Sequence, residues 1–334
     1  MTPVDPLRRR RAIEMRIPRE THFSPHTPMG VGVEFDAVRR MLERWGPRAR
    51  RIGDDAAIIT SLGDRAVVAS TDTSVENVHF RRDWLSAEEI GYRAAVAALS
   101  DLAAMGARPI GMLVAVTVPE SWRNELDAIT DGIGDAAESA CAPILGGDTT
   151  RGQELSLTFT VLGSARDVLC RTSARPDDRV YVTGRLGGPL AALRDLQAGR
   201  TPSKANRSRF AHPVPRIEEA VWLGENGAAA AIDVSDGLSA ELGHLAAASR
   251  VGISIRAEDV PTVLGVTPMD AAGSGEEYEL IVTSPSNIDA TEFRRRFGLD
   301  LTQIGTVTAG AVGVVMTLGD KPVVSPPGYL HFTE

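Results

Sequence analysis

The chain has 334 residues, 43% of them hydrophobic and 24% charged, with a formal net charge of −8. That is the make-up of a soluble globular protein, and the length suits two domains of ordinary size. The acidic balance argues against general nucleic-acid binding, and no apolar run approaches the ~20 residues of a membrane helix.

In chain order, residues 1–29 carry the run Arg8–Arg11 among prolines and show little periodicity. They read as a flexible basic arm, with no apolar h-region of a secretory signal after the arginines. Phe35, Val38, Met41, Leu42 and Trp45 recur at helical spacing. Strands are expected at Ala57–Thr60 and Ala66–Ser70 around a Gly63-Asp64 turn. An alanine-rich helix should run from Ala87 to Met105, its small side chains suited to close packing, and stop at Gly106 and Pro109. A buried strand at Met112–Val118, a helix at Ser121–Cys141 and an alternating strand at Leu155–Gly163 follow. Arg175-Pro176-Asp177-Asp178 marks a turn and a change of unit, giving a first domain over 30–165 and a second over 170–334. The second begins with a strand at Arg179–Thr183, a helix near Pro189–Gln197 and a polar loop over Gly199–Pro215. A helix at Ile217–Asn226 and a strand at Ala229–Asp233 come next. From Asp236, Leu238, Leu242, Leu245 and Ala246 then form a helical stripe. The pattern of strands and helices is that of an α/β (α+β) protein. Cys141 and Cys170 stand alone, with no CxxC or Cys/His cluster, which fits a reducing, cytoplasmic setting and no structural zinc.

Common nucleotide signatures are missing: there is no GxxxxGK[ST], no GxSxG, no HExxH and no HRD/DFG set. Gly132-Ile133-Gly134-Asp135-Ala136-Ala137 matches GxGxxA but falls inside a helical pattern, the wrong context for a dinucleotide fingerprint. What recurs instead is aspartate at expected strand ends beside glycine or hydroxyl residues: Gly53-Asp54-Asp55, Ser70-Thr71-Asp72-Thr73, Ser100-Asp101, Gly146-Gly147-Asp148-Thr149-Thr150 and Asp233-Val234-Ser235-Asp236-Gly237. Each alone is compatible with a turn or a helix cap. Asp101, however, falls well inside an Ala/Leu-rich helix, where a carboxylate is costly unless a partner or cation meets it. An oxygen-only set of this kind is what hard cations such as magnesium prefer, shared with substrate phosphates. Gly146-Gly147 adds a place where backbone could approach phosphate closely. The pattern points to phosphoryl transfer.

These same segments, with His79-Phe80, Leu99–Ala107 around Asp101, Arg151-Gly152 and Gly275-Glu276-Glu277-Tyr278-Glu279-Leu280, resemble in order and spacing the motifs of thiamine-monophosphate kinases. The resemblance extends from about Val33 to Phe332. That family sits in a superfamily with aminoimidazole-ribonucleotide synthetase and selenophosphate synthetase. The resemblance implies a two-domain protomer, a homodimer whose N-terminal sheets pair into a barrel-like core, and ATP in the cleft between domains. It implies that Asp55, Ser70, Thr71, Asp72, Asp101, Asp148, Asp233 and Asp236 hold several magnesium ions, with Asp72, Asp101, Asp148 and Asp233 central to catalysis. Gly147, Asp148, Arg171 and Ser235 would contact ATP, and His79, Glu276 and the position of Pro326 would face the acceptor, thiamine monophosphate.

The chemistry implied is in-line transfer of the γ-phosphoryl group to the acceptor phosphate, which asks for positioning and charge neutralisation rather than a protein nucleophile. Two positions depart from the family pattern. Glu277 stands where the family usually has aspartate, which would shift a carboxylate near the acceptor. Pro326 stands where an aromatic is common, and offers no π-face to a thiazolium. The alternative activities are transfer to a different small acceptor, or a silent nucleotide-binding dimer, which the intact aspartate set argues against.

Overall fold

The computed structural model describes residues 33–49 and 52–329. The Arg8–Arg11 arm and Phe332 lie outside these described residues. The protein is a mixed α/β structure of two domains, each built on its own sheet. After a first helix α1 (Val33–Trp45), the N-terminal half contributes β1 (Ala57–Leu62), β2 (Arg65–Val75), α2 (Ala87–Ala104), β3 (Arg108–Val118), α3 (Leu126–Ser139), β4 (Ile144–Arg151) and β5 (Ser156–Ala165). Its five strands are ordered β1-β2-β5-β3-β4, with only the β3–β4 pair parallel. The second half holds β6 (Arg179–Thr183), α4 (Gly188–Gln197), α5 (Lys204–Ala211), α6 (Ile217–Glu225), β7 (Ala230–Asp233), α7 (Leu238–Ser249) and β8 (Gly252–Arg256). It continues through α8 (Pro268–Ala272), β9 (Leu280–Ser284), α9 (Ala290–Phe297), β10 (Leu301–Thr308), β11 (Gly313–Leu318) and β12 (Lys321–Val323). These seven strands lie in the order β12-β11-β8-β10-β6-β9-β7.

α2 organises the molecule. A reciprocal capping box fixes its start: the Glu89 backbone N–H donates to the Ser86 hydroxyl, and the Ser86 N–H donates to the Glu89 carboxylate. On one side it packs on β2 and β5, where β5 alternates buried Leu157, Phe159 and Val161 with half-buried hydroxyl residues. On another it meets α6 and β7 of the second domain. Its alanines allow α3 to cross tightly. A Cβ on Gly91 would stand 2.1 Å from the Ile129 carbonyl oxygen, and one on Gly132 would stand 1.9 Å from that of Glu88. The GxGxxA match is therefore a helix–helix crossing inside α3.

Three expectations are revised. β2 is eleven residues long, so Asp72 lies within a strand rather than at its end. Residues 144–151 form an edge strand, β4, so Gly146, Gly147 and Asp148 lie within a strand rather than at the end of one. The polar segment after Gly199 contains α5, begun by Ser203, whose hydroxyl accepts the Asn206 N–H, and anchored by buried Phe210. Among the described residues no helix is long and apolar enough to cross a membrane.

Candidate active site

Three carboxylates meet where α2 touches the second domain. Ligand oxygens of Asp55, Asp101 and Asp233 all lie within 4.8 Å of one another. Each arrives on a different element: Asp55 in the turn before β1, Asp101 in the last turn of α2, and Asp233 at the end of the fully buried strand β7. Hydroxyls on β2 and α2 orient two of them. Ser70 donates to Asp101 Oδ2 at 2.5 Å, and Ser100 donates to Asp233 Oδ2 at 2.5 Å, joining the two domains directly. Arg171 grips Asp55 through both Nε, at 2.8 Å, and Nη2, at 2.5 Å, while its backbone N–H donates to Asp54.

Negative charge is in surplus. Burial, then the charges of Asp233 and Asp55, push the Asp101 carboxyl well above the ordinary range, and burial with Asp55 and Glu241 does the same to Asp233. Burial raises Asp54 to about 6 and Glu241 to about 8. Burial works against the Arg171 charge, but Asp55 outweighs it, and the guanidinium stays firmly protonated. One arginine cannot balance this set. A buried, mutually repelling, oxygen-only cluster fits a hard divalent cation, which would supply the missing positive charge.

Beside the cluster, Asp72, Ser74, His79, Arg93, Glu276 and Tyr278 line a pocket floored by the apolar side chains of α2. His79 Nδ1 accepts the Val75 N–H at 3.1 Å, which places the neutral imidazole proton on Nε2. Glu276 and Tyr278 hold left-handed backbone, φ 57° and 52°, and the Glu276 N–H donates to the Ser235 carbonyl at 2.6 Å. Non-glycine residues adopt that region at a cost, and such strain clusters at functional sites.

The structure thus gathers Asp55, Ser70, Asp101 and Asp233 into one cluster and places Asp72, His79 and Glu276 on an adjoining wall. Other expected ligands lie apart. Thr71 faces the opposite side of the sheet, where its hydroxyl donates to the Phe159 carbonyl and meets Thr160. Asp148 is exposed on edge strand β4, opposite Ala115; β3 and β5 separate it from β2, about 14 Å at ~4.8 Å per strand. Gly147 has a structural duty, since a Cβ there would reach within 1.8 Å of the Val114 carbonyl oxygen. The Ser235 hydroxyl donates to Glu241, and the Asp236 carbonyl accepts the Tyr329 N–H. Pro326 packs on Gly273, beside the loop leading to Glu276 and off the pocket wall. Glu277 does not face this pocket: it is buried against the Gly187 N–H, Ser274 and Arg209. Two residues were not singled out from sequence. Arg93 could have been found as the lone cation in an alanine-rich helix, eight residues before Asp101; Glu241 gave no comparable signal.

Comparisons with known proteins identify the family. The family model described as AIR synthase related protein, N-terminal domain, matches residues 53–165, and that of the C-terminal domain matches residues 175–317. The thiamine-monophosphate kinase of Escherichia coli strain K12 is 34% identical over 326 residues, 90% of this chain and 98% of that protein. Among solved structures, one described as AaThiL complexed with AMPPCP and TMP superposes with a TM-score of 0.77 at 28% identity, covering 90% of this chain and 96% of the other. The thiamine-monophosphate kinase of Stenotrophomonas maltophilia K279a gives a TM-score of 0.71 at 35% identity, covering 86% and 96%. This chain belongs to the thiamine-monophosphate kinase family, within the AIR synthase related proteins.

Proposed function

We infer that this protein phosphorylates thiamine monophosphate to thiamine diphosphate with ATP. The observation that carries the reading is a family match over 90% of the chain that coincides with a buried carboxylate cluster beside a pocket holding both charges. An oxygen of the acceptor phosphate attacks the γ-phosphorus of ATP, the bond to the β–γ bridging oxygen breaks, and ADP leaves. With a second phosphate pKa near ~6, the acceptor is largely ionised at neutral pH and no general base is obligatory. We assign magnesium to Asp55, Asp72, Asp101 and Asp233, where it would neutralise charge on the transferring phosphates, with Ser70 orienting Asp101. Asp236 would serve as a further oxygen donor, and Arg171 and Ser235 would receive ATP where the N-terminal unit (30–165) meets the C-terminal unit (170–334). His79 and Glu276 face the acceptor, with Pro326 bracing the Glu276 loop.

We also propose a homodimer in which the open faces of the N-terminal sheets pair into a barrel. What supports it is that Leu113, Ile144 and Leu145 of β3 and β4 are exposed in the single chain. Gly147, Asp148 and Thr71, which the protomer leaves on that open side or its edge, would then complete the phosphate site at the junction. A sedimentation mass of one chain at micromolar concentration would rule this out. Two isolated free cysteines suit the reducing cytoplasm, where we place the enzyme.

The deciding experiment incubates the protein with ATP, magnesium and thiamine monophosphate. Thiamine diphosphate should appear with stoichiometric ADP, and magnesium chelation should stop both. ATP binding without thiamine diphosphate formation would refute the assignment.

A further inference from the structure

The pocket contains one cation that the family motifs do not account for. Arg93 lies on α2 with Ala97 and Asp101 at four-residue steps, about 12 Å along the helix from Asp101. Its side chain is 6% exposed. A guanidinium has five N–H donors, and burial normally demands that they be used. Here Nη1 donates to the His79 carbonyl at 3.1 Å, Nη2 abuts the Glu276 carboxylate as an ion pair without hydrogen-bond geometry, and Nε has no hydrogen-bond partner among the described residues. The Phe210 ring lies under the guanidinium at 4.6 Å and fixes its plane.

We propose that Arg93 is the anchor for the acceptor's phosphate, which displaces Glu276 from the guanidinium. The idea rests on the functional reading above and names the group that recognises the anionic end of that substrate. A planar fork with spare donors matches a phosphate, which can accept two parallel N–H bonds. Asp72 shares the pocket wall with Arg93 and adds to the field at Asp101, so a phosphate held by Arg93 lies toward the carboxylate cluster. Glu276, on its left-handed backbone and with its N–H tied to Ser235, is held where it meets Arg93 now. When phosphate takes over the guanidinium, the freed carboxylate faces the cationic ring system of the same substrate. Anion on Arg93 and cation on Glu276 thus set the direction in which the acceptor enters.

The rival role for Arg93 is a brace between α2 and the turn at His79. Two ligands separate the roles. In the full-length protein with magnesium and a non-hydrolysable ATP analogue, thiamine monophosphate and thiamine differ only in the phosphate. Arg93→Met should weaken thiamine monophosphate binding by about 100-fold, the share of two charge-assisted hydrogen bonds. It should change thiamine binding less than about threefold and leave the KM for ATP in place. Arg93→Lys keeps the charge and loses the fork, so a loss of about tenfold, again confined to the phosphorylated ligand, is expected. Equal weakening of both ligands, or unchanged thiamine monophosphate affinity in Arg93→Lys, would overturn the anchor. A wild-type protein that neither binds nor phosphorylates thiamine monophosphate overturns this proposal together with the functional reading.

Discussion

Two groups of buried carboxylates lie in this molecule, and they are treated in opposite ways. Around Asp55, Asp101 and Asp233 one arginine faces several acids, and the carboxyls of Asp101 and Asp233 are driven well up. Around Glu279, two arginines converge on one side chain: Arg216 at 2.6 Å and Arg209 at 3.3 Å, with the Thr183 hydroxyl donating at 2.6 Å. Burial alone would raise Glu279, but Arg216 and Arg209 outweigh it and its carboxyl is held below the usual range. A balanced cluster can stay buried without outside charge and is costly to break; an unbalanced one waits for charge from outside. The surplus, not the burial, separates site from scaffold.

The largest effect should come from removing a member of the unbalanced cluster. Asp101→Asn keeps an acceptor for Ser70 and removes a repelling charge. Turnover should fall by about 10³-fold or more, as the charge that meets the metal is lost. Without magnesium, the same variant should be more stable than wild type by about 1–3 kcal/mol, because a functional cluster is held at the expense of stability. Activity assays and denaturant unfolding of one preparation test both halves. Near-wild-type turnover would show that Asp101 belongs with the scaffold.

The balanced cluster should respond the other way. Glu279→Gln leaves Arg216 and Arg209 buried beside a neutral amide, and breaking a buried pair costs about 3–5 kcal/mol. The urea midpoint should drop accordingly, while the folded fraction keeps a kcat within a few-fold of wild type. A large loss of kcat at unchanged stability would move Glu279 into the site.

How much of this contrast could be read from sequence depends on how each residue is packed. Asp101 was legible because a carboxylate in an alanine–leucine helix has no solvated excuse. The helical stripe from Leu238 and the strand ending at Asp233 were legible from periodicity. β4 was not: it carries two adjacent glycines, every residue is exposed in the single chain, and no alternation marks it. α5 was hidden because Lys204–Ala211 is polar nearly throughout and is held by a cap and one buried phenylalanine. Glu277 was placed near the acceptor on the assumption that all the acids of its motif face one way. With left-handed backbone at Glu276 and Tyr278, the segment instead turns these two to the pocket and sends Glu277 and Glu279 to the arginines. Neither that left-handed backbone nor the arginines on the far side, Arg209 and Arg216, can be read from the motif itself.

Glu277 offers the smallest and sharpest test, since it stands between the two regimes. Burial lifts its carboxyl to about 7, and Arg209, Ser274 and the Gly187 N–H pull it part of the way back. A carboxyl whose folded pKa exceeds its unfolded value of 4.5 binds its proton more tightly when folded, so its share of stability is present at low pH. It is lost as pH rises from 4.5 to about 7, at ~1.4 kcal/mol per pH unit at most. Asp54, Glu241, Asp101 and Asp233 are also raised, so metal-free wild type should lose stability in the same direction as pH increases. Glu277→Gln removes one titrating group and should flatten the fall between pH 5 and 7 by that share, while the KM for the acceptor stays within about twofold. An unchanged pH slope with a raised acceptor KM would return Glu277 to the acceptor pocket, where the departure from the family's aspartate first suggested it belonged.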